Sequence, residues 1–167
     1  MAIPERMDSP RLCDYLAVMS RAVFQAGLSW TLIESKWDAY VRLFEGFDVE
    51  RVAAFDEVDV DRILADGGIV RTRKKVVATI ANARTLLTLD RECGGFARYL
   101  ASFSDYGALA DDLRERFAFL GPISVYYFVF LCGGRVPRFE DWEKAVRGDH
   151  PRMREMIAHA RAQGWDG

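Results

Sequence analysis

A chain of 167 residues, half of them apolar and 13% aromatic, is long enough for one hydrophobic core and too rich in large side chains for disorder. Its net charge of −2 excludes a global attraction to nucleic acid, so any such binding must come from a local basic cluster. The three cysteines, Cys13, Cys93 and Cys132, are far apart and lack the pairing of a disulfide framework or a zinc site. No basic and apolar leader is evident, and the strongest apolar run, Ile123 to Cys132, is only about ten residues, so a soluble, unprocessed protein of a reducing cytoplasm is expected.

Apolar residues recur at helical spacing almost throughout and no long alternating stretch suggests a sheet, which predicts an all-α fold. Ser9 is expected to cap a first helix with Pro10 at its first position, running through Leu12, Leu16, Met19 and Val23 and stopping near Gly27. Ser29 then caps a second, carrying Ile33, Trp37, Tyr40 and Phe44 and ending at Gly46. The segments after Asp48 and Asp59 read as short helices with acidic first turns, the second closed by Gly67 and Gly68. A long helix over about 72–89 follows, then shorter ones over about 96–103, 106–117, 122–132, 139–147 and 151–163. No repeat or linker divides the chain, which reads as one domain over 1–167.

Two stretches have a helix, a glycine turn and another helix: "LADGGIVRTRKKVVATIANAR", residues 64–84, and "RFAFLGPISVYYFVFLCGG", residues 116–134. In the second, Gly121 is expected to permit the turn and Pro122 to open the next helix, leaving outward N–H groups at a positive helix end. That geometry suits a phosphate and equally a plain helical hairpin. In the first, Arg71, Arg73, Lys74 and Lys75 stand at a helix start, where the positive dipole end disfavours cations. An anionic partner explains the cluster better than stability does. A third stretch, "QAGLSW", residues 25–30, places Gln25 and Trp30 where one helix ends and another begins.

The stretches "QAGLSW", "FDVERVAAFDEVDVDRILADGGIVRTRKKVVATIANAR" and "FLGPISVYYFVFLCG" resemble the DNA-3-methyladenine glycosylase I family of helix-hairpin-helix repair enzymes, over roughly residues 8 to 134. The most specific part is "GIVRTRKKVVATIANAR", where Arg71, Arg73, Lys75, Asn82 and Arg84 match in type and spacing. The resemblance implies an all-α fold of two helical lobes with a base pocket in the cleft between them. It also implies a monomeric enzyme acting on double-stranded DNA containing alkylated bases, hydrolysing the bond between an alkylated adenine and deoxyribose. Trp30 matches the family's pocket tryptophan and would stack on a flipped base, its alternative being a core aromatic between lobes. Gln25 would read a polar edge of the base or, equally, bond the backbone at the helix end.

Departures from the family pattern are specific. A base-reading Glu four residues before the Ala-Gly-Leu-Ser-Trp run is replaced by Ala22. The N-terminal pocket tyrosines have no counterpart, and neither do the zinc-binding Cys and His residues, so no metal and no cofactor is expected. Related glycosylases place an Asp shortly after the second hairpin helix; here Glu140 and Asp141 are the nearest carboxylates, as electrostatic helpers or simply as the acidic first turn of the helix containing Trp142. No lysine lies between Gly121 and Gly134, which removes the Schiff-base nucleophile of bifunctional enzymes and predicts glycosylase activity without lyase activity. A non-catalytic DNA-binding or damage-sensing module is the alternative.

Overall fold

The structure, a computed structural model, describes residues 3–167. The described residues form ten α-helices and one short 3₁₀ turn, with no strand among them, as the periodicity predicts. The first helix, α1 (Leu12–Gln25), starts later than Ser9 and Pro10 suggest. Asp14 sets its start: the Asp14 carboxylate accepts the Arg11 backbone N–H at 2.8 Å and the Arg11 guanidinium at 3.2 Å, so Ser9 and Pro10 stay outside the helix. After a turn through Gly27, whose φ is +74°, helix α2 (Trp30–Leu43) begins directly after Ser29.

The next two helices are held by aspartate caps. Asp48 accepts the Arg51 N–H at 3.0 Å and opens α3 (Val49–Ala53). Helix α4 (Glu57–Ala65) is capped by Asp56, three residues before the expected start. Asp59 is instead the third helical residue, and its carboxylate returns the bond to the Asp56 N–H at 3.0 Å. Helix α5 (Arg73–Cys93) runs a full turn past Leu89, to the left-handed Gly94 with φ +70°. Helices α6 (Phe96–Ala101), α7 (Tyr106–Arg116), α8 (Pro122–Leu131), α9 (Phe139–Ala145) and α10 (Pro151–Ala162) complete the chain.

Two groups of buried side chains form the core, and α8 belongs to both. Val125, Phe128 and Val129 pack into the larger group with α1 to α7. Tyr126, Tyr127, Phe130 and Leu131 pack into the smaller one with Phe139 and Trp142 of α9, Met153, Met156 and Ile157 of α10, and Ala22 of α1. A helix apolar on every side is the expected signature of one buried all round. The chain's two ends meet at its C-terminal end: the Arg6 guanidinium lies 5.7 Å from the Phe130 ring centroid and 5.6 Å from that of Trp165, and donates to the Gly134 carbonyl at 2.8 Å.

Candidate functional site

The turn between α1 and α2 faces the start of α8 across a cavity of about 290 Å³. Gln25 and Ala22 come from the last turns of α1, Trp30 opens α2, and Phe119, Ser124 and Tyr127 come from the turn before α8 and from α8 itself. Three of the candidate residues singled out in the sequence, Gln25, Trp30 and Gly121, therefore line one pocket. Trp30 is half-buried and meets Tyr127 edge to face, with ring centroids 5.3 Å apart at 80°. Gln25 is 2% exposed, and neither its amide nitrogen nor its amide oxygen has a hydrogen-bond partner. The helix-end bond to backbone that would have explained Gln25 structurally is not made. Tyr127 is buried as well; burial pushes its phenol well above the ordinary tyrosine range, against the opposing pull of the neighbouring Arg21 guanidinium.

Two apolar side chains stand out at the rim, Leu28 and Phe119, 37% and 47% exposed. Phe119 has φ +60°, a left-handed conformation that costs a non-glycine residue about 1 to 3 kcal/mol. Asn82 of α5 holds it there by gripping the neighbouring residue: its amide donates to the Ala118 carbonyl at 3.1 Å and its oxygen accepts the Ala118 N–H at 2.7 Å. Gly121 does not supply the backbone freedom expected of it. Its φ of −93° and ψ of −178° are open to any residue, and the conformational cost falls on Phe119 instead. What Gly121 does provide is an open position before the N–H groups of α8, since a Cβ there would meet no atom within 4 Å.

The basic cluster divides. Arg71 and Lys74 are exposed, with no ion pair or side-chain hydrogen bond among the described residues. Arg73 pairs across to α4, with Asp61 at 3.2 Å and with Glu57. Lys75 is buried and turned inward: its ammonium donates to the carbonyls of Phe24, at 3.2 Å, and Ala26, at 2.6 Å, where α1 ends. Burial lowers its pKa. Arg84 does the same work for α3, donating to the carbonyls of Ala53 and Phe55 at 2.8 and 3.1 Å. Lys75, Asn82 and Arg84, three residues that give the sequence its specificity, thus fasten loops to α5.

Glu140 and Asp141 do not line the pocket. Both are exposed in the first turn of α9, where Glu140 takes a two-pronged bond from Arg161, at 2.6 and 3.0 Å, and Asp141 pairs with Lys144 at 3.5 Å. The Arg161 guanidinium holds the Glu140 carboxyl down at about 2, so it is fully ionised near neutral pH. The sequence reading missed a different acid: Glu34, one turn after Trp30, has a side chain only 6% exposed and binds Arg152 of α10 through both oxygens, at 2.8 and 3.0 Å. No local signal marks a pair separated by 118 residues. Among the described residues no three His, Cys, Asp or Glu side chains come together in a way that would hold a metal ion, and no helix is long and apolar enough to cross a membrane.

Residues 4–114 match the family model of methyladenine glycosylases. The chain is 32% identical over 152 residues to DNA-3-methyladenine glycosylase 1 of Escherichia coli (strain K12), an alignment spanning 78% of this chain and 79% of that protein. Its fold superposes on the Staphylococcus aureus 3-methyladenine DNA glycosylase I with a TM-score of 0.69, at 26% identity over 87% of this chain and 88% of the other. A further solved 3-methyladenine DNA glycosylase I gives a TM-score of 0.68 at 30% identity, over 78% and 82% of the two chains.

Proposed function

The chain belongs to the methyladenine glycosylase family, and on that premise we propose that it hydrolyses the glycosidic bond of alkylated purines, 3-methyladenine above all, in double-stranded DNA. The observation that carries this reading is the Gln25 amide, buried without partners in the pocket that Trp30 also lines. A glutamine amide offers one donor and one acceptor side by side, which matches the N7 and N6 positions of an adenine edge. A polar ligand that makes those bonds recovers what the unbound pocket leaves unmade. The cavity suits a single flipped base.

The chemistry asks little of the protein. A 3-methylated adenine in DNA is cationic, so an indole face attracts it more than it attracts an unmodified base. The same positive charge makes it a good leaving group: the bond to C1′ breaks with both electrons going to the base, and water bonds C1′ and releases its proton. No carboxylate lines the pocket, consistent with a reaction that needs no strong acid. The reaction is glycosylase only. No lysine stands between Gly121 and Gly134, and none lines the pocket, so no amine is placed there to trap the sugar.

Duplex DNA would lie along the face carrying Arg71 and Lys74, with a phosphate at the open N–H groups after Gly121. Leu28 and Phe119 stand where an apolar side chain could enter the stack as the base leaves it. In this reading the two packed groups that share α8 are the two lobes of one domain spanning 1–167, with the base pocket in the cleft between them. One observation favours the alternative of a non-catalytic damage-sensing module: Ala22 lines the pocket where the family pattern has Glu. Incubating the protein with alkylated duplex DNA and identifying released bases separates the two. Free 3-methyladenine is expected; duplex binding with no base released establishes the sensor.

A further inference from the structure

Among the described residues, three that are not glycine hold a left-handed backbone: Glu45, Phe47 and Phe119. Glu45 is a polar, exposed residue of a tight turn. Phe47 offsets its strain by burial: its ring stacks on those of Trp37 and Phe44, with centroids 5.2 and 5.5 Å apart, and is closed off from solvent. Phe119 has no such return. Its ring stands nearly half exposed at the rim of the base pocket and belongs to neither packed core group. A glycine in its place would carry no strain. Nor can the turn relax around it, because the buried Asn82 grips the Ala118 N–H and carbonyl together, at 2.7 and 3.1 Å. An apolar ring held out toward solvent at a conformational cost, beside a ligand cavity, points to a partner outside the protein.

We infer that Phe119 enters the duplex at the lesion and stacks in the space that the flipped base leaves, so that it recognises the opened duplex rather than the base; the inference rests on the glycosylase reading above. What surrounds the ring sets the partner. Phe119 and Leu28 stand on two loops at the rim of the base pocket, and both loops are held by α5: Asn82 fixes the Phe119 turn, and Lys75 binds the Ala26 carbonyl close to Leu28. The exposed cations Arg71 and Lys74 stand at the start of the same helix, so the element that directs the ring also carries charge complementary to phosphate. Leu28 can displace a base by bulk. Only the aromatic ring presents a face on which any base stacks, whatever the sequence. A base leaving the duplex uncovers the faces of its neighbours to water, and a planar apolar ring covers them again. Gln25 and Trp30 thus meet the base, and Phe119 meets the gap behind it.

The test uses a duplex carrying a stable tetrahydrofuran abasic site, which presents the gap without a base, beside the same duplex intact. Fluorescence anisotropy reads the preference for the first over the second, and calorimetry reads affinity for free 3-methyladenine. Phe119→Asn removes the ring and puts in a residue that accepts a left-handed backbone, while Phe119→Tyr keeps the ring. Wild type should prefer the abasic duplex, and Phe119→Asn should reduce that preference by about five- to hundredfold, the worth of one base–aromatic stack. Affinities for the intact duplex and for the free base should stay within about twofold, and Phe119→Tyr should behave as wild type. Wild type without a preference, or a Phe119→Asn protein that keeps it, overturns the inference. So does an equal loss in free-base affinity, which makes the ring a wall of the pocket, or a loss of preference in Phe119→Tyr as well, which makes the turn and not the ring responsible. A wild type that prefers the abasic duplex through Phe119 but releases no base from alkylated DNA overturns the glycosylase reading alone.

Discussion

Of the four cations at the start of α5, only Arg71 and Lys74 are free to meet a phosphate, and salt dependence can show it. Each phosphate contact on duplex DNA contributes about 0.9 to the slope of log affinity against log salt. The double variant Arg71→Ala/Lys74→Ala should therefore lower that slope by about 1.8. Over a fourfold rise in salt, wild type would then lose roughly twelvefold more affinity than the variant. Lys75→Met should leave the slope alone and act on stability instead, since it strips the Phe24 and Ala26 carbonyls of their donor at the end of α1. Loss of those charged bonds costs about 2 to 4 kcal/mol. For a chain of this size that amounts to a fall in Tm of roughly 5 to 15 °C. Fluorescence anisotropy on an undamaged duplex at four or five salt concentrations, with a thermal melt of each variant, gives both readouts. An unchanged slope in the double variant refutes this division of the cluster, as does a Lys75→Met protein whose slope falls by about one while its Tm stays put.

Trp30→Ala should reduce release of 3-methyladenine by roughly ten- to hundredfold, the worth of one base–aromatic stack, while duplex affinity changes far less. Equal losses in both would return Trp30 to a structural role. Glu140→Gln and Asp141→Asn should leave release within about twofold, because neither carboxylate lines the pocket. Glu140 does bear on acid stability: its carboxyl, held at about 2 against an ordinary 4.5, contributes stability above the ordinary value and loses it as pH falls toward 2, so Glu140→Gln should flatten that part of an acid melt. Ala22→Glu should raise release if a carboxylate there still reads the base, and since burial raises an acid's pKa, the gain should grow with pH while stability, favoured by the protonated form, declines. A variant whose release is unaltered at every pH would show that the Gln25 pocket has no use for the missing acid.

Helix type and most helix ends are legible because they depend on neighbours in sequence. Ser29, Asp48 and Thr72 mark starts that the structure keeps. The misplaced starts, at Pro10 and after Asp59, have one cause: two candidate caps stand close together, and the reciprocal bond of Arg11 with Asp14 and of Asp56 with Asp59 decides between them. Trp30 and Gln25 were reachable from the "QAGLSW" run. Tyr127 was not, because α8 is apolar on every side and periodicity cannot tell a pocket face from a core face in such a helix. The basic run misled for a related reason. One helical turn sends neighbouring residues in different directions, so four cations in five positions include two that face solvent, one that faces α4 and one that turns into the protein.

The arrangement explains how unmet polar groups persist at the pocket. The Gln25 amide forgoes bonds that burial would normally demand, and it sits on a helix fixed from elsewhere. Lys75 ties the end of α1 to α5, and Asn82 sets the turn that delivers α8. Arg152 anchors α2 through Glu34, so the start of α2 at Trp30 is braced by α10. Because these contacts lie behind the pocket rather than in it, the Gln25 amide stays free of partners within the protein, and a ligand can meet its hydrogen-bonding capacity without first breaking an internal bond. Stability supplied at a distance is thus what leaves Gln25 and Trp30 available for recognition, and substitutions in the supports should lower Tm before they alter which base is chosen.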